Sequence, residues 1–328
     1  MVLYALREIE NAGRVALDFL TPIELRRWLK LALIVLFVGG GGNSLSSSFN
    51  AGNASPPTGE VPLPSIDRVG LVIVAVVVAA VVLLLLFALI SAVMEFVFVE
   101  SLRSGEVTIR RYWRRRWRQG LRLFGFRFVL FLPLLLLGLG FLALFVLPMV
   151  AGIGAAPLLG AFLLLPVVAV VALLVGLVDG FTTVFVVPIM ILTDCRVLDG
   201  WRRLWPTIRA AWKQYLAYVV LQFVLTIGLG LATSIVLTIV ALAALIPLGV
   251  LGYVAVSVFT LSSTAGLASV GVLVAIFVLV MVVASAVVQV PVQTYLRYYA
   301  LLILGDVEPE LDLIPERRAA VQGASGEE

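Results

Sequence analysis

The sequence predicts an all-α polytopic membrane protein, and three observations carry that class. The chain of 328 residues is 62% hydrophobic and 13% charged, with a mean hydropathy of +1.16. A soluble domain holds about 45–50% apolar and about 25% charged residues. Apolar runs long enough to cross a bilayer recur along the chain. The basic residues gather in alternate segments between those runs, as the positive-inside rule requires of a multi-pass protein.

The elements follow in order. Arg7, Glu8, Glu10, Arg14 and Asp18 interrupt any leader-type apolar region in residues 1–20. Val2, Leu6, Ile9, Gly13, Ala16 and Leu20 repeat there at helical spacing, which predicts a short amphipathic helix on the membrane surface. Thr21-Pro22-Ile23-Glu24 reads as a capping box opening a first span over 22–42. Its apolar core, Leu31–Gly42, is short, so Trp28 and snorkelling Arg27 and Lys30 complete it. The Gly/Ser/Asn/Pro-rich stretch 43–68 is an external loop, with a formal glycosylation sequon at Asn53 followed unfavourably by Pro56. Residues 69–99 form the second span.

Residues 103–127 form an amphipathic interfacial helix. Ile109, Trp113, Trp117, Leu121, Phe124 and Phe128 share one face, Arg111, Arg115, Arg118 and Arg122 the opposite one, and Arg110 and Arg114 its flank. An aromatic face backed by arginines suits a helix lying in the membrane interface. The third span is 128–150, with a kink expected at Pro133. The fourth, 157–192, is broken at Pro166 and Pro188 and is apolar apart from Asp179. A second interfacial helix over 194–214 places Trp201, Trp205, Ile208, Trp212 and Tyr215 on its apolar face, with Arg202, Arg203, Arg209 and Lys213 outside it. Spans 215–245 and 267–304 complete six. The tail 305–328 is acidic and expected to be mobile in the cytosol, the alternative being that Asp306, Glu308, Glu310, Asp312 and Glu316 fold back onto the arginine helices.

Lysine plus arginine number five up to Lys30, one in 43–68, nine in 100–127, five in 194–216 and three from Arg297 onward. None falls near 148–160 or 247–266. Six spans put 22 of the 23 on one side, so both termini are expected in the cytoplasm of a cell-membrane protein.

Trp113-Arg114-Arg115-Arg116-Trp117 is echoed 88 residues later by Trp201-Arg202-Arg203-Leu204-Trp205. The same offset carries the start of the second span onto that of the fourth. A unit of span, interfacial helix and span therefore repeats in parallel orientation, unlike the inverted repeats of many transporters. The run Val187-Pro188 through Asp199-Gly200-Trp201 to Trp212 and Tyr215 resembles the membrane-domain superfamily attached to some glycerophosphodiester phosphodiesterases. Val290-Pro291 followed by Tyr298-Tyr299 is similar to the end of its last helix. Glu100 to Val107, with the arginine/tryptophan helix, resembles uncharacterised membrane proteins of halophilic archaea. The resemblance implies a six-helix fold; no catalytic phosphodiesterase domain accompanies it, so that activity is not implied.

The absence of histidine and the single Cys195 exclude histidine-based catalysis, an intrachain disulfide and a His/Cys metal site. No cofactor is expected. Cys195, at the cytoplasmic interface, reads as a small buried thiol or an acylation point. Gly39–Gly42 lacks the Lys-Ser/Thr of a phosphate loop. Gly138 with Gly140 and Gly228 with Gly230 would permit close helix packing.

Glu95 and Asp179 are the acids most embedded in apolar sequence, a position that marks either a transport path or a structural pairing with Arg122, Arg127 or Arg202. Nucleic acid is not expected as a partner, because the tryptophans lie on the lipid-facing stripe; the arginine/tryptophan surface points to the bilayer, anionic lipid headgroups or a membrane or cytosolic protein. Three readings result: a non-enzymatic membrane-organising protein, a transporter or channel using Asp179, and a lipid-modifying enzyme. The last lacks a nucleophile–base or metal constellation.

Overall fold

The computed structural model describes residues 4–22, 24–38, 66–151, 156–259 and 263–324, and among them every regular element is helical. In order these are α1 (Tyr4–Leu20), α2 (Leu25–Val38), α3 (Ile66–Ser104), α4 (Ile109–Ala151), α5 (Ala156–Phe181), a π-helical turn (Thr182–Val186), α6 (Val187–Thr193), α7 (Val197–Ala210), α8 (Trp212–Val258), α9 (Thr264–Val307), a 3-10 turn (Pro309–Leu311) and α10 (Pro315–Ala324). Among the described residues, five helical stretches are long and apolar enough to cross a membrane: Val74–Ser104, Ile109–Phe141, Leu164–Thr193, Trp212–Val258 and Thr264–Val307. Helix is the natural state of such segments, since in lipid every backbone group must find its partner within the segment.

The core sits at one end of the bundle. Phe96, Phe98, Leu102, Leu123, Phe185, Ile189, Met190, Leu204, Tyr298 and Tyr299 are fully or almost fully buried there. The apolar lengths beyond it, such as Leu71 to Phe87 and Val220 to Val258, carry many exposed large side chains. That division follows from the medium: lipid tails are as apolar as leucine and do not drive the outer halves together. α9 packs on α8, α1 and α2; α3 packs on α4 and α2; α4 packs on α5.

Several expectations are corrected. The arginine/tryptophan stretch is no separate interfacial helix. It is the first part of α4, a single helix of 43 residues, about 64 Å long, that stays helical through Pro133. Nothing between Ile109 and Phe128 breaks the ladder, so one rod serves both as arginine face and as span. Its buried positions are Tyr112, Arg116, Gln119, Gly120 and Leu123, a face turned away from Trp117, which is 43% exposed on the stripe expected to face lipid. Gly120 is required here: a Cβ would lie 2.5 Å from Val93 Cγ2 and 2.8 Å from Val93 Cα. At Gly138, Gly140, Gly228 and Gly230 a Cβ would meet nothing within 4 Å, so the glycine pairs expected to pack helices closely do not.

The face of α1 that packs on the protein is not the expected apolar stripe alone. Glu8, Asn11, Ala12, Val15, Ala16, Phe19 and Leu20 are buried, and α1 packs on α9, α8 and α10. The expected capping box does not form either. The Thr21 hydroxyl turns back to donate to Leu17 O at 2.7 Å, and α2 starts at Leu25; Ile23 lies outside the described residues. α2 has 14 residues, about 21 Å, short of a roughly 30 Å hydrocarbon core. Gly39 to Ser65, including Asn53, also lies outside the described residues. α8 runs to Val258 through Pro247, and α9 begins at Thr264, so the expected loop near 247–266 shrinks to the few residues between them.

The tail is folded rather than mobile as far as it is described. Leu311, Asp312, Leu313 and Ile314 are buried, and α10 rests on α1. Two of its acids pair with the tail's own arginine rather than with the arginine helices: Arg318 contacts Asp306 at 3.4 Å and Asp312 at 3.1 Å.

Candidate functional site

Four long helices bring charge to one level, where the buried core meets the lipid-facing lengths. The organising element is the π-helical turn. Val187 N–H, which in an α-helix would serve Thr183 O, donates instead to Thr182 O. The next residue in a π ladder is Pro188, which has no N–H to give. Thr183 O is therefore left without a backbone donor. Arg297 of α9 fills the vacancy, its Nη1 donating to Thr183 O at 2.5 Å.

The other Arg297 nitrogen, Nη2, donates to the Glu95 carboxylate of α3, and these side chains are 6% and 1% exposed. Arg127 of α4 completes the group. Its Nε donates to Asp179 Oδ1 at 2.7 Å and its Nη2 to Thr183 Oγ1 at 2.6 Å. Thr183 thus joins two ion pairs, one through its carbonyl and one through its hydroxyl. Glu95 and Asp179 are both held by arginines. Asp179 has a partner expected from the sequence, Arg127, and Glu95 has one that was not, Arg297.

A second buried network lies towards the turns. Arg116 contacts Glu100 at 2.9 Å and donates to Gln119 Oε1 at 3.1 Å. Gln119 in turn donates to Met190 O at 3.1 Å and to Asp194 Oδ1 at 2.5 Å. Asp194 closes α6 in the left-handed region with φ 50°. Sequence reasoning passed over Arg116 and Gln119. The signal was their spacing from Tyr112 and Gly120 on one helical face.

The surface arginines behave differently. Arg110, Arg111, Arg114, Arg115, Arg118 and Arg122 are exposed, and none has an acidic partner within ion-pair distance among the described residues. On α7 and the start of α8, Arg202, Arg203, Arg209 and Lys213 are exposed too. Arg202 lies 3.7 Å from Asp199, Arg209 stacks on Trp205, and Lys213 stacks on Trp212. Trp205 and Trp212 are exposed, while Trp113 and Trp201 are half-buried against the core. Trp201 is not a lipid-facing side chain: its indole N–H donates to Thr182 Oγ1 at 3.0 Å, pinning α7 to the π turn.

Residues 3–314 match a family of unknown function, DUF7544. The chain belongs to that family. No curated protein and no solved structure matches it. For this DUF7544 member the chemistry of the site therefore rests on its own geometry. The level through Glu95, Asp179, Arg127 and Arg297 is internally neutralised, and among the described residues no group of three or more His, Cys, Asp or Glu is placed to hold a metal. The exposed charge open to a partner includes the arginine face of α4 and the basic rim of α7 and α8.

Proposed function

We propose that the protein is a non-enzymatic, multi-pass protein of the cell membrane that organises anionic lipid, or a partner protein, at its arginine-rich end. The observation that carries this reading is the row of six exposed arginines on α4, from Arg110 to Arg122, without acidic partners among the described residues and continuous with a membrane span. Phe128 opens the lipid-facing length. Arg122 and Arg118 stand about 9 and 15 Å below it along the helix, within reach of headgroups, and Arg110 about 27 Å below, in the aqueous phase. By the positive-inside rule this end faces the cytoplasm.

Six crossings belong to the same reading. α1 and α10 pack together, and an odd number of crossings would part them, so residues 22–42 are taken as the first span. The parallel repeat is supported by burial as well as by tryptophan spacing. Tyr112, Arg116 and Gln119 are buried on α4, and Gly200, Leu204 and Thr207, each 88 residues on, are buried on α7. Six crossings also accord with the likeness of Val187–Tyr215 to the membrane domain of glycerophosphodiester phosphodiesterases, and of Glu100–Val107 to halophilic archaeal membrane proteins.

Native mass spectrometry of the full chain in mild detergent tests it. Substituting Arg114, Arg115, Arg202 and Arg203 together by Gln is expected to strip the anionic lipid or partner that co-purifies with the wild type. Unchanged co-purification would overturn the reading. The convergence of charge from four helices on a π turn favours one competitor, a small-solute transporter with Asp179 in its path. Loss of solute flux in vesicles on Asp179→Asn would establish that competitor; unaltered flux favours the organising role.

A further inference from the structure

The arginine face of α4 leads into a groove. Arg111, Arg115, Arg118 and Arg122 follow spacings of four, three and four, and the next positions on that face are Phe126, Leu130 and Pro133. These three apolar side chains, with Val171, Leu174 and Val175 of α5, line a cavity of about 340 Å³ between the two helices. That is within the roughly 300–1,000 Å³ of sites that hold small molecules. It lies in the span, one helical turn beyond Arg122.

We infer that this groove holds one glycerophospholipid, its acyl chain between α4 and α5 and its phosphate on Arg118 and Arg122. The inference rests on the headgroup reading above and assigns that reading a place and a stoichiometry. Three observations define the occupant. The lining is apolar and open to the lipid-exposed surface, since Val129, also in the lining, is 67% exposed, which suits a hydrocarbon chain. Arg118 and Arg122 lie one turn apart on the groove's own face, exposed and without acidic partners among the described residues; guanidinium forks match the oxygens of a phosphodiester. Asp179, one turn beyond Val175, would repel that phosphate, but Arg127 binds it at 2.7 Å and cancels its charge.

The test is native mass spectrometry of the delipidated full chain titrated with phosphatidylglycerol or with diacylglycerol of the same acyl chains. One phosphatidylglycerol per chain is expected, bound at least tenfold tighter than the phosphate-free lipid. Leu130→Trp and, separately, Leu174→Phe fill the groove and leave every arginine in place; each is expected to weaken binding about tenfold with helicity by circular dichroism unchanged. Arg118→Gln with Arg122→Gln is expected to do the same. Equal binding of diacylglycerol, or wild-type retention of phosphatidylglycerol by both groove-filling variants, overturns the inference. If only the arginine variant loses lipid, the headgroup reading stands and the groove falls. A dimer that excludes lipid would make the groove an interface between copies and overturn the inference as well.

Discussion

Thr183 ties two ion pairs together through its own carbonyl and hydroxyl. Its carbonyl lacks a backbone donor because a π turn meets a proline, and Arg297 supplies the missing hydrogen bond while pairing with Glu95. Breaking a buried pair from one side leaves an uncompensated charge, so Glu95→Gln should cost about 3–5 kcal/mol. The double variant Glu95→Leu with Arg297→Met should recover much of that loss, because two apolar side chains replace two charges. Denaturant unfolding in detergent, followed by circular dichroism, measures both. Pro188→Ala restores an N–H at the π turn, and in that background Arg297→Met should cost about 1–2 kcal/mol less than in the wild type. Additive effects would show that the proline does not create the vacancy. Glu95 and Asp179 could be singled out from sequence, because an isolated acid in an apolar run is costly. Arg127 could be named as a partner because it opens the neighbouring span. Arg297 could not: it lies 202 residues from Glu95, and only the packing of α9 against the core brings the two together.

At the scale of elements, helix positions were readable from apolar runs, and helix continuity was not. The arginine stretch and the span after it differ sharply in composition, which suggests two helices, yet no residue between them interrupts the backbone ladder, and α4 is one rod. The same reasoning misplaced the face of α1. Its apolar stripe is too narrow to choose between lipid and protein, and the observed face buries Glu8 and Asn11, where Asn11 Nδ2 donates to the Glu8 carboxylate at 3.1 Å. The decisive contact for α4 is at Gly120. Gly120→Val should destabilise the α3–α4 pair by at least about 1–3 kcal/mol through overpacking against Val93, whereas Gly138→Ala, with open space around it, should be neutral or slightly stabilising by helix propensity. A thermal shift of similar size in both variants would contradict the assigned contact.

For the whole molecule, the division into a packed end and lipid-facing lengths decides which changes matter. Composition made the membrane class readable, since 62% hydrophobic residues cannot be buried in one core. The folded tail was hidden, because acidic composition, including Asp312 itself, masks the buried Leu311, Leu313 and Ile314 that anchor it. Truncation after Glu308 should therefore uncover apolar surface on α1 and α9 and lower the midpoint of thermal unfolding by several degrees. Arg318→Gln should also lower it, because it leaves the buried Asp312 carboxylate without its guanidinium partner. Limited proteolysis gives a second readout: the tail up to Ala324 should resist cleavage in the wild type and become sensitive in Leu313→Ser.

α4 crosses the molecule as one uninterrupted rod and meets the α3 backbone closely at Gly120. About 16 Å of helix reaches back from there to Ile109 and about 46 Å forward to Ala151. Ion pairs clamp the rod on either side of that contact, Arg116 with Glu100 on the short length and Arg127 with Asp179 on the long one. A partner drawn to the exposed arginines would meet a fixed platform, whose height above the bilayer the span itself sets.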